Sequence, residues 1–325
     1  MKLYRSLQEV PPDFGPSALT IGNFDGVHFG HRRILRRVTE LAERYGWKAS
    51  ALTFDPHPTR VVAPERAPLL MTSPERRAEL MEEEGIQQVL ILPFTRDLAQ
   101  LSPEQFVRQL LVERLGVKAV LVGDNFRFGH KQAGNIRVLA ELGSRLGFQT
   151  EIVPAVALRG RVVSSSGIRQ LIQAGSVSLA ARLLRHGYGL EGDVVSGRGV
   201  GSRETVPTLN LFTTAALIPA RGVYVTRTRD LESAREWNSI TNIGYRPTFG
   251  TSDQLSIETF LLEPLDGETP RRIRVEFCWR VRDERRFDSP EALKAQILKD
   301  ARAAQAYFRR RRAWAGRQTP CPTHD

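Results

Sequence analysis

The sequence predicts two halves of different architecture: a doubly wound α/β domain, then a small all-β barrel domain with a C-terminal helix. Three observations predict this. From Ala18 to about Leu184, short apolar runs alternate with stretches of helical period. Repeated βα units of this length imply a parallel sheet with helices on both faces. After about His186 the helical period gives way to short runs separated by turn residues, the pattern of a small barrel. Near the end, Ser289-Pro290-Glu291 opens one last helix.

In chain order, Leu19 to Phe24 is a short apolar run ending in Asn-Phe-Asp-Gly. Gly30 to Arg44 places Ile34, Leu35, Val38, Leu41 and Ala42 on one helical face. Ala49 to Phe54 is strand-like, and Ser73-Pro74 opens a helix with Ser as N-cap and Pro at the first helical position. Val89 to Phe94 is the next strand, and Ser102-Pro103-Glu104 repeats the helix opening. Ala119 to Gly123, Ile136 to Leu146 and Gln149 to Val153 complete the series as strand, helix and strand. The second half supplies Asp193 to Ser196, Leu209 to Phe212, Val223 to Arg227, Trp237 to Ile243, Leu255 to Leu262 and Ile273 to Val281. Leu293, Ile297, Ala301, Ala304 and Phe308 mark the expected buried stripe of the last helix. The expected boundaries are 1–184, 185–312 and a disordered tail over 313–325.

Composition narrows the partners. Hydrophobic residues at 41% and charged residues at 26% argue against global disorder. The formal charge of +11 favours polyanions in general, from nucleic acid to phosphorylated small molecules. The Arg-rich stretch Arg271 to Arg286 is interrupted by Glu276, Asp283 and Glu284 and has no aromatic ladder. It therefore reads as a solvated, partly ion-paired face, and no nucleic-acid partner is expected. Two cysteines, Cys278 and Cys321, cannot build a disulfide framework and suit a reducing compartment. The opening MKLYRSLQEVPPDFG has no apolar signal core, and no apolar run approaches spanning length. A cytoplasmic protein without a membrane partner is expected; the oligomeric state is not fixed by sequence.

Ligands of a doubly wound sheet bind at the carboxyl ends of its strands. There stands Thr20-Ile-Gly-Asn-Phe-Asp-Gly-Val-His-Phe-Gly-His31, with two glycines for a tight turn and two histidines at a helix start. The spacing of three puts His28 and His31 on one face. Backbone N–H groups and the positive helix end make an anion site there, and the imidazoles can hydrogen-bond a phosphate as its charge grows. The bland reading makes both histidines capping or packing residues.

This stretch resembles the HxGH motif of the nucleotidyltransferase superfamily, in the GxFDGxHxGH form of the bacterial bifunctional riboflavin kinase/FMN adenylyltransferase family, also called FAD synthetases. Phe54-Asp-Pro-His-Pro58 is similar to the family's FxPHP segment. Val122-Gly-Asp-Asn-Phe-Arg-Phe-Gly129 is similar to GxDFxFG, with Asn125 for the more usual Asp, and Ser164-Ser-Ser-Gly-Ile-Arg169 to SSTxIR. The likeness runs from about Leu3 to Phe308. It implies that a nucleotidyltransferase-like domain makes FAD and pyrophosphate from FMN and ATP. Within it, His28, His31 and Arg169 would be catalytic. Gly22, Asn23, Phe24, Asp25, Gly26, Gly30, Ser164 and Ser165 would surround the ATP phosphates. Asp124, Asn125, Phe126 and Arg127 would line the flavin or adenine pocket. Core packing competes for Phe126 and Phe128, and simple capping for the serines. Mg²⁺ would bridge the phosphates.

The β half contains Gly187-Tyr-Gly-Leu-Glu-Gly192 and Gly197-Arg-Gly-Val-Gly201 but no GxxxxGK[ST] and no βαβ unit, which excludes a P-loop and a dinucleotide fingerprint. It resembles the riboflavin kinase module: Val206-Pro-Thr-Leu-Asn-Leu211 is similar to PTANL, Asn242-Ile-Gly-Tyr-Arg-Pro-Thr-Phe249 to NIGxRPTF, and Ile257-Glu-Thr-Phe-Leu-Leu262 to the strand bearing the catalytic acid. The resemblance implies that Glu258 is the general base for phosphorylating riboflavin to FMN. It also implies that Thr208 and Asn210 bind Mg²⁺ and phosphate oxygens, with Gly197 and Pro207 beside the nucleotide. Period two puts Thr208 and Asn210 on one side of a strand. Thr205-Val206 replaces the family's usual Gly-Phe. That departure keeps a second reading open, an FMN adenylyltransferase whose kinase module is weak or inactive.

Overall fold

The computed structural model describes residues 1–158, 160–195, 208–248, 251–285 and 287–315. The chain divides into two compact units between Gly167 and Ile168.

The first unit is built on a six-stranded parallel sheet of order β1-β4-β3-β2-β5-β6. Its elements are β1 (Lys2–Tyr4), β2 (Ser17–Ile21), α1 (Phe29–Tyr45), β3 (Lys48–Asp55), α2 (Pro58–Val62), α3 (Pro74–Glu82) and β4 (Gln88–Pro93). They continue with α4 (Arg96–Gln100), α5 (Pro103–Gln105), β5 (Val117–Gly123), α6 (Ile136–Leu146), β6 (Gln149–Val153) and the small hairpin β7 (Ala157–Leu158) and β8 (Arg161–Val162). The α/β expectation therefore holds, with β1 as an additional edge strand. All five residues of β2 are buried because the sheet is covered on both sides. Leu35, Val38, Leu41 and Ala42 of α1 pack with Ala78, Leu80 and Met81 of α3 on one side. Phe106, Val107, Leu110, Leu139 and Leu142 pack on the other. The two serine–proline openings are N-caps as expected, and Ser102 forms a full capping box with Gln105. Beyond it the backbone continues as a π-helix over Phe106–Arg114.

Helix α7 (Ser165–Gln173) spans the division between the units, so α8 (Val177–Leu184) falls in the second unit rather than in the first, where the sequence pattern places it. The second unit is a closed antiparallel barrel of β9 (Tyr188–Val195), β10 (Thr208–Phe212), β11 (Gly222–Asp230), β12 (Glu236–Thr248), β13 (Thr251–Leu261) and β14 (Arg272–Arg282), followed by α9 (Pro290–Ala315). The strands alternate. Thr226, Thr228, Ser239, Thr241 and Thr259 are fully buried and share a hydroxyl ladder: Thr226 Oγ1 lies 2.8 Å from both Ser239 Oγ and Thr241 Oγ1. On the opposite strand face, Val223, Val225 and Ile240 pack against Ala304 and Phe308 of α9.

Two expectations for the C-terminus need correction. Only Ala301, Ala304 and Phe308 of the predicted stripe meet the barrel, whereas Leu293 is 43% and Ile297 36% exposed. Helix α9 also runs through Ala315, into the segment expected as a disordered tail from 313, and residues 316–325, with Cys321, lie outside the described residues. The basic stretch is ion-paired: Arg272 to Asp193, Arg274 to Glu191, Arg280 to Asp283 and Arg282 to Asp300, at 2.7–3.5 Å. Among the described residues no helix is long and apolar enough to cross a membrane.

Candidate active sites

The first site lies where the strand order reverses. From β2 the chain moves to β3 and β4 on one side, while β5 and β6 lie on the other. Loops leaving a sheet on either side of such a point diverge and open a crevice. The loop from Gly22 to His28 and the loop from Asp124 to Arg127 both leave there, after β2 and β5.

The β2–α1 turn is held under strain. Gly26 takes φ 80°, as its sequence position suggests, but Phe24 (φ 48°) and the β-branched Val27 (φ 35°) are left-handed too. Such a conformation persists only when its surroundings fix it. The Asp25 carboxylate accepts from the backbone N–H of Met71 (2.9 Å) and Thr72 (3.2 Å) and from Thr72 Oγ1 (3.2 Å). The Asn23 carbonyl accepts from Thr53 Oγ1 (3.2 Å) and Arg77 Nη1 (2.9 Å). Ser165 Oγ donates to the Asp25 carbonyl at 3.1 Å, which ties the start of α7 to the turn. The side chains of Asp25 and Phe24, two of the residues expected around the ATP phosphates, do not point out of the turn. Both are 2% exposed and turned inward, one as the fastening of the loop and the other in the core.

The histidines come together, though not by helical spacing. His28 is the extended N-cap of α1, and its Nδ1 accepts from His31 N at 3.3 Å. The rings stack with centroids 3.6 Å apart and planes 14° apart, and Phe24 presents its ring edge-on to His31 at 5.2 Å. A Cβ at Gly30 would lie 3.2 Å from the His28 ring, and one at Gly22 3.2 Å from the Phe24 ring, so both glycines leave room for the pair. Burial, and then the neighbouring His28, hold His31 well below the usual histidine range. The ring is neutral at pH 7. His31 Nδ1 is buried without a hydrogen-bond partner among the described residues, which favours the tautomer with the proton on Nε2, a donor for an incoming anion.

Across the crevice, Asp124, Asn125 and Arg127 are exposed. The Asp124 carboxylate accepts from Ala155 N at 3.3 Å. Phe128 is in the core, and Phe126 is half-buried and stacks on it at 5.5 Å. Ser164 Oγ accepts from Gly167 N at 3.3 Å, the capping role, and Arg169 lies one turn beyond Ser165 on α7.

The second site is a row across the barrel. Asn210 of β10 stands opposite Glu258 of β13, which stands opposite Asn242 of β12. Directly opposed residues share a face, and Asn242 is in turn opposite Val223, so the row lies on the outer face and not in the barrel. Thr208 shares that face by period two and is exposed at the start of its strand. Ser256 Oγ donates to Glu258 Oε1 at 2.9 Å and fixes the carboxylate. Asn242 was not singled out from sequence; its signal was its place at the head of the Asn-Ile-Gly segment. Gly197, Thr205, Val206 and Pro207 lie outside the described residues. Among the described residues no group of three His, Cys, Asp or Glu side chains is placed to hold a metal ion.

Comparison with known proteins matches this division. Residues 11–167 match the family model described as FAD synthetase, and residues 184–308 the model described as riboflavin kinase. A bifunctional riboflavin kinase/FMN adenylyltransferase of Pseudomonas fluorescens is 36% identical over 306 residues, covering 94% of this chain and 97% of the relative. The protein of that name from Escherichia coli K12 is 34% identical over 310 residues, covering 95% and 98%. A solved structure described as a macrolide-efflux protein from Streptococcus pneumoniae superposes with a TM-score of 0.82, covering 93% of this chain and 98% of that one. At 24% identity that likeness shows the fold alone.

Proposed function

Because this chain belongs to the bacterial bifunctional riboflavin kinase/FMN adenylyltransferase family, and so makes FMN from riboflavin and FAD from FMN, we propose that the β2–α1 turn performs adenylyl transfer and the outer face of the barrel performs the kinase reaction. The observation that carries the first assignment is the stacked histidine pair on a strained turn at the switch point of the sheet.

In adenylyl transfer a phosphate oxygen of FMN attacks the α-phosphorus of ATP, and the bond to the β-phosphate oxygen breaks. His31 Nε2–H donates to an oxygen of the transferring group as its charge grows. A neutral, preorganised donor in a crevice does this without reorganising solvent. His28 supports the ring of His31 and caps the helix. The main-chain N–H groups of Asn23 and Phe24 and the start of α1 would supply further donors to phosphate oxygens, since those of Gly22 and Gly26 are taken by the Leu52 carbonyl and Thr72 Oγ1. Ser164, Ser165 and Arg169 belong to the side of the leaving pyrophosphate. Asp124, Asn125, Phe126 and Arg127 border the flavin or adenine pocket.

In the kinase reaction the riboflavin 5′-hydroxyl attacks the γ-phosphorus of ATP, ADP leaves, and Glu258 accepts the hydroxyl proton. Asn210 and Asn242 flank that carboxylate in register. Thr208 and Asn210 offer neutral oxygen donors on one face, a set suited to Mg²⁺ held jointly with phosphates and water. Mg²⁺ bound there would neutralise charge on the triphosphate. A cytoplasmic location, with small-molecule substrates and no nucleic acid, belongs to the same reading.

The test is a time course with riboflavin, ATP and Mg²⁺, with the flavins resolved chromatographically. FMN followed by FAD is expected. FAD from added FMN, but no FMN from riboflavin, would overturn the kinase assignment and leave the adenylyltransferase alone.

A further inference from the structure

Arg77, on α3, is the largest fully buried side chain among the described residues, at 1% exposure. Its Nη1 donates to the Asn23 carbonyl (2.9 Å), to Thr53 Oγ1 (3.0 Å) and to the Phe54 carbonyl (3.3 Å). Its Nε and Nη2 have no hydrogen-bond partner among the described residues. Burial works against its charge, while Asp25, Asp55 and Glu75 favour it. A guanidinium stays charged inside a protein, and a buried charge with unpaired donors costs stability that an apolar side chain of similar size would not. Packing alone gives no reason to keep an arginine here.

What the guanidinium touches supplies one. Its hydrogen bonds converge on the end of β3 and on the carbonyl of Asn23, where Thr53 Oγ1 also donates. Asn23 immediately precedes the left-handed Phe24, whose ring meets His31. The orientation of that carbonyl fixes the peptide plane from which the strained turn departs. We propose that Arg77 is a positioning residue for adenylyl transfer: through the Asn23 carbonyl it holds the turn that presents His28 and His31 to the phosphates. The proposal rests on the reading of that turn as the adenylyl-transfer site.

The full-length enzyme tests it with Arg77→Met, Arg77→Lys and, in parallel, His31→Ala. Misplacing a catalytic group by about 1 Å costs up to about 10²-fold in rate. Arg77→Met should therefore lower kcat for FAD formation from FMN by about 10²-fold, with KM for ATP and FMN nearly unchanged. Its thermal unfolding should be no lower than wild type, and FMN formation from riboflavin should be untouched. Arg77→Lys, which keeps one charged donor for Asn23, should recover most of the rate. Wild-type kcat in Arg77→Met overturns the proposal. So does a loss that follows a fall in unfolding temperature and is not rescued by lysine, since that is mere structural support. If Arg77→Met does not fold, Arg77→Gln, which is uncharged and too short to span the same acceptors, decides: a lowered kcat at wild-type stability supports the role, and an unchanged kcat refutes it. An active His31→Ala would instead refute the site assignment itself, whereas an inactive His31→Ala beside an active Arg77→Met refutes only the role of Arg77.

Discussion

The imidazoles of His28 and His31 lie face to face, 3.6 Å between centroids, and one caps the helix that carries the other. The two histidines therefore do different work. His28 Nδ1 is committed to the backbone of His31, while in the proposed reading His31 Nε2 serves the substrate. His31→Ala should lower FAD formation from FMN by about 10²–10³-fold and leave FMN formation from riboflavin at wild-type rate. His28→Ser keeps a capping oxygen and His28→Ala does not, so the two should differ in thermal unfolding by about 1 kcal/mol. Both should lose adenylyl transfer, because neither restores the stacked ring. Paired activity and unfolding measurements would separate cap from chemistry; equal stability of the two variants would remove the capping argument.

A half-buried, neutral histidine makes stability depend on pH. His31 titrates well below its ordinary 6.5 in the folded protein, chiefly through burial. Below about pH 6.5 the unfolded chain binds a proton that the native state refuses, so stability falls as pH falls, at up to about 1.4 kcal/mol per pH unit, until the folded-state value is passed. His31→Gln removes that linkage. Urea unfolding of the first unit at pH 7, 6 and 5 should show wild type losing more stability than the variant over this window. Parallel losses would mean that His31 is not the group responsible.

Glu258 is opposed by Asn210 on one side and Asn242 on the other, with Ser256 donating to its carboxylate. Glu258→Gln keeps the shape and removes the proposed base. FMN formation from riboflavin should fall by about 10²–10⁴-fold, and FAD formation from supplied FMN should not change. Ser256→Ala, which only frees the carboxylate to rotate, should lower the kinase rate by a smaller factor. Unchanged kinase activity in Glu258→Gln would move the base to another residue.

What was legible in the sequence follows from what each signal records. Parallel strands buried on both faces read as largely apolar runs, so β2 to β5 stood out. Lys2–Tyr4 escaped because an exposed three-residue edge strand leaves no such run. The motifs located the turn and Glu258, but a motif says that a residue belongs to a loop, not which way its side chain points. Hence the motif alone does not show that the side chains of Phe24 and Asp25 face inward. Arg77 sits in Pro-Glu-Arg-Arg-Ala-Glu, a composition that reads as a solvated helix, and only tertiary contacts reveal it as buried. The placement of His28 as the extended N-cap, off the helical face that carries His31, likewise depends on backbone dihedrals that spacing does not encode.

Helix α9 gives the sharpest test of period against burial. Leu293, Ile297, Ala301, Ala304 and Phe308 form one regular stripe in the sequence, but only its second half meets the barrel. Ala304 is fully buried and Phe308 is 5% exposed against Val223, Val225 and Ile240, while Leu293 is 43% exposed. Periodicity alone assigns both ends similar weight; burial does not. Phe308→Ala opens a cavity beneath the helix and should destabilise the barrel by about 3–5 kcal/mol. Leu293→Ser changes little that is packed and should stay within about 0.5 kcal/mol of wild type. Both are read from the unfolding transition that carries riboflavin kinase activity with it. A large effect at Leu293 would mean that the first half of the helix is covered in solution, and the sequence stripe would then be the better guide to its burial.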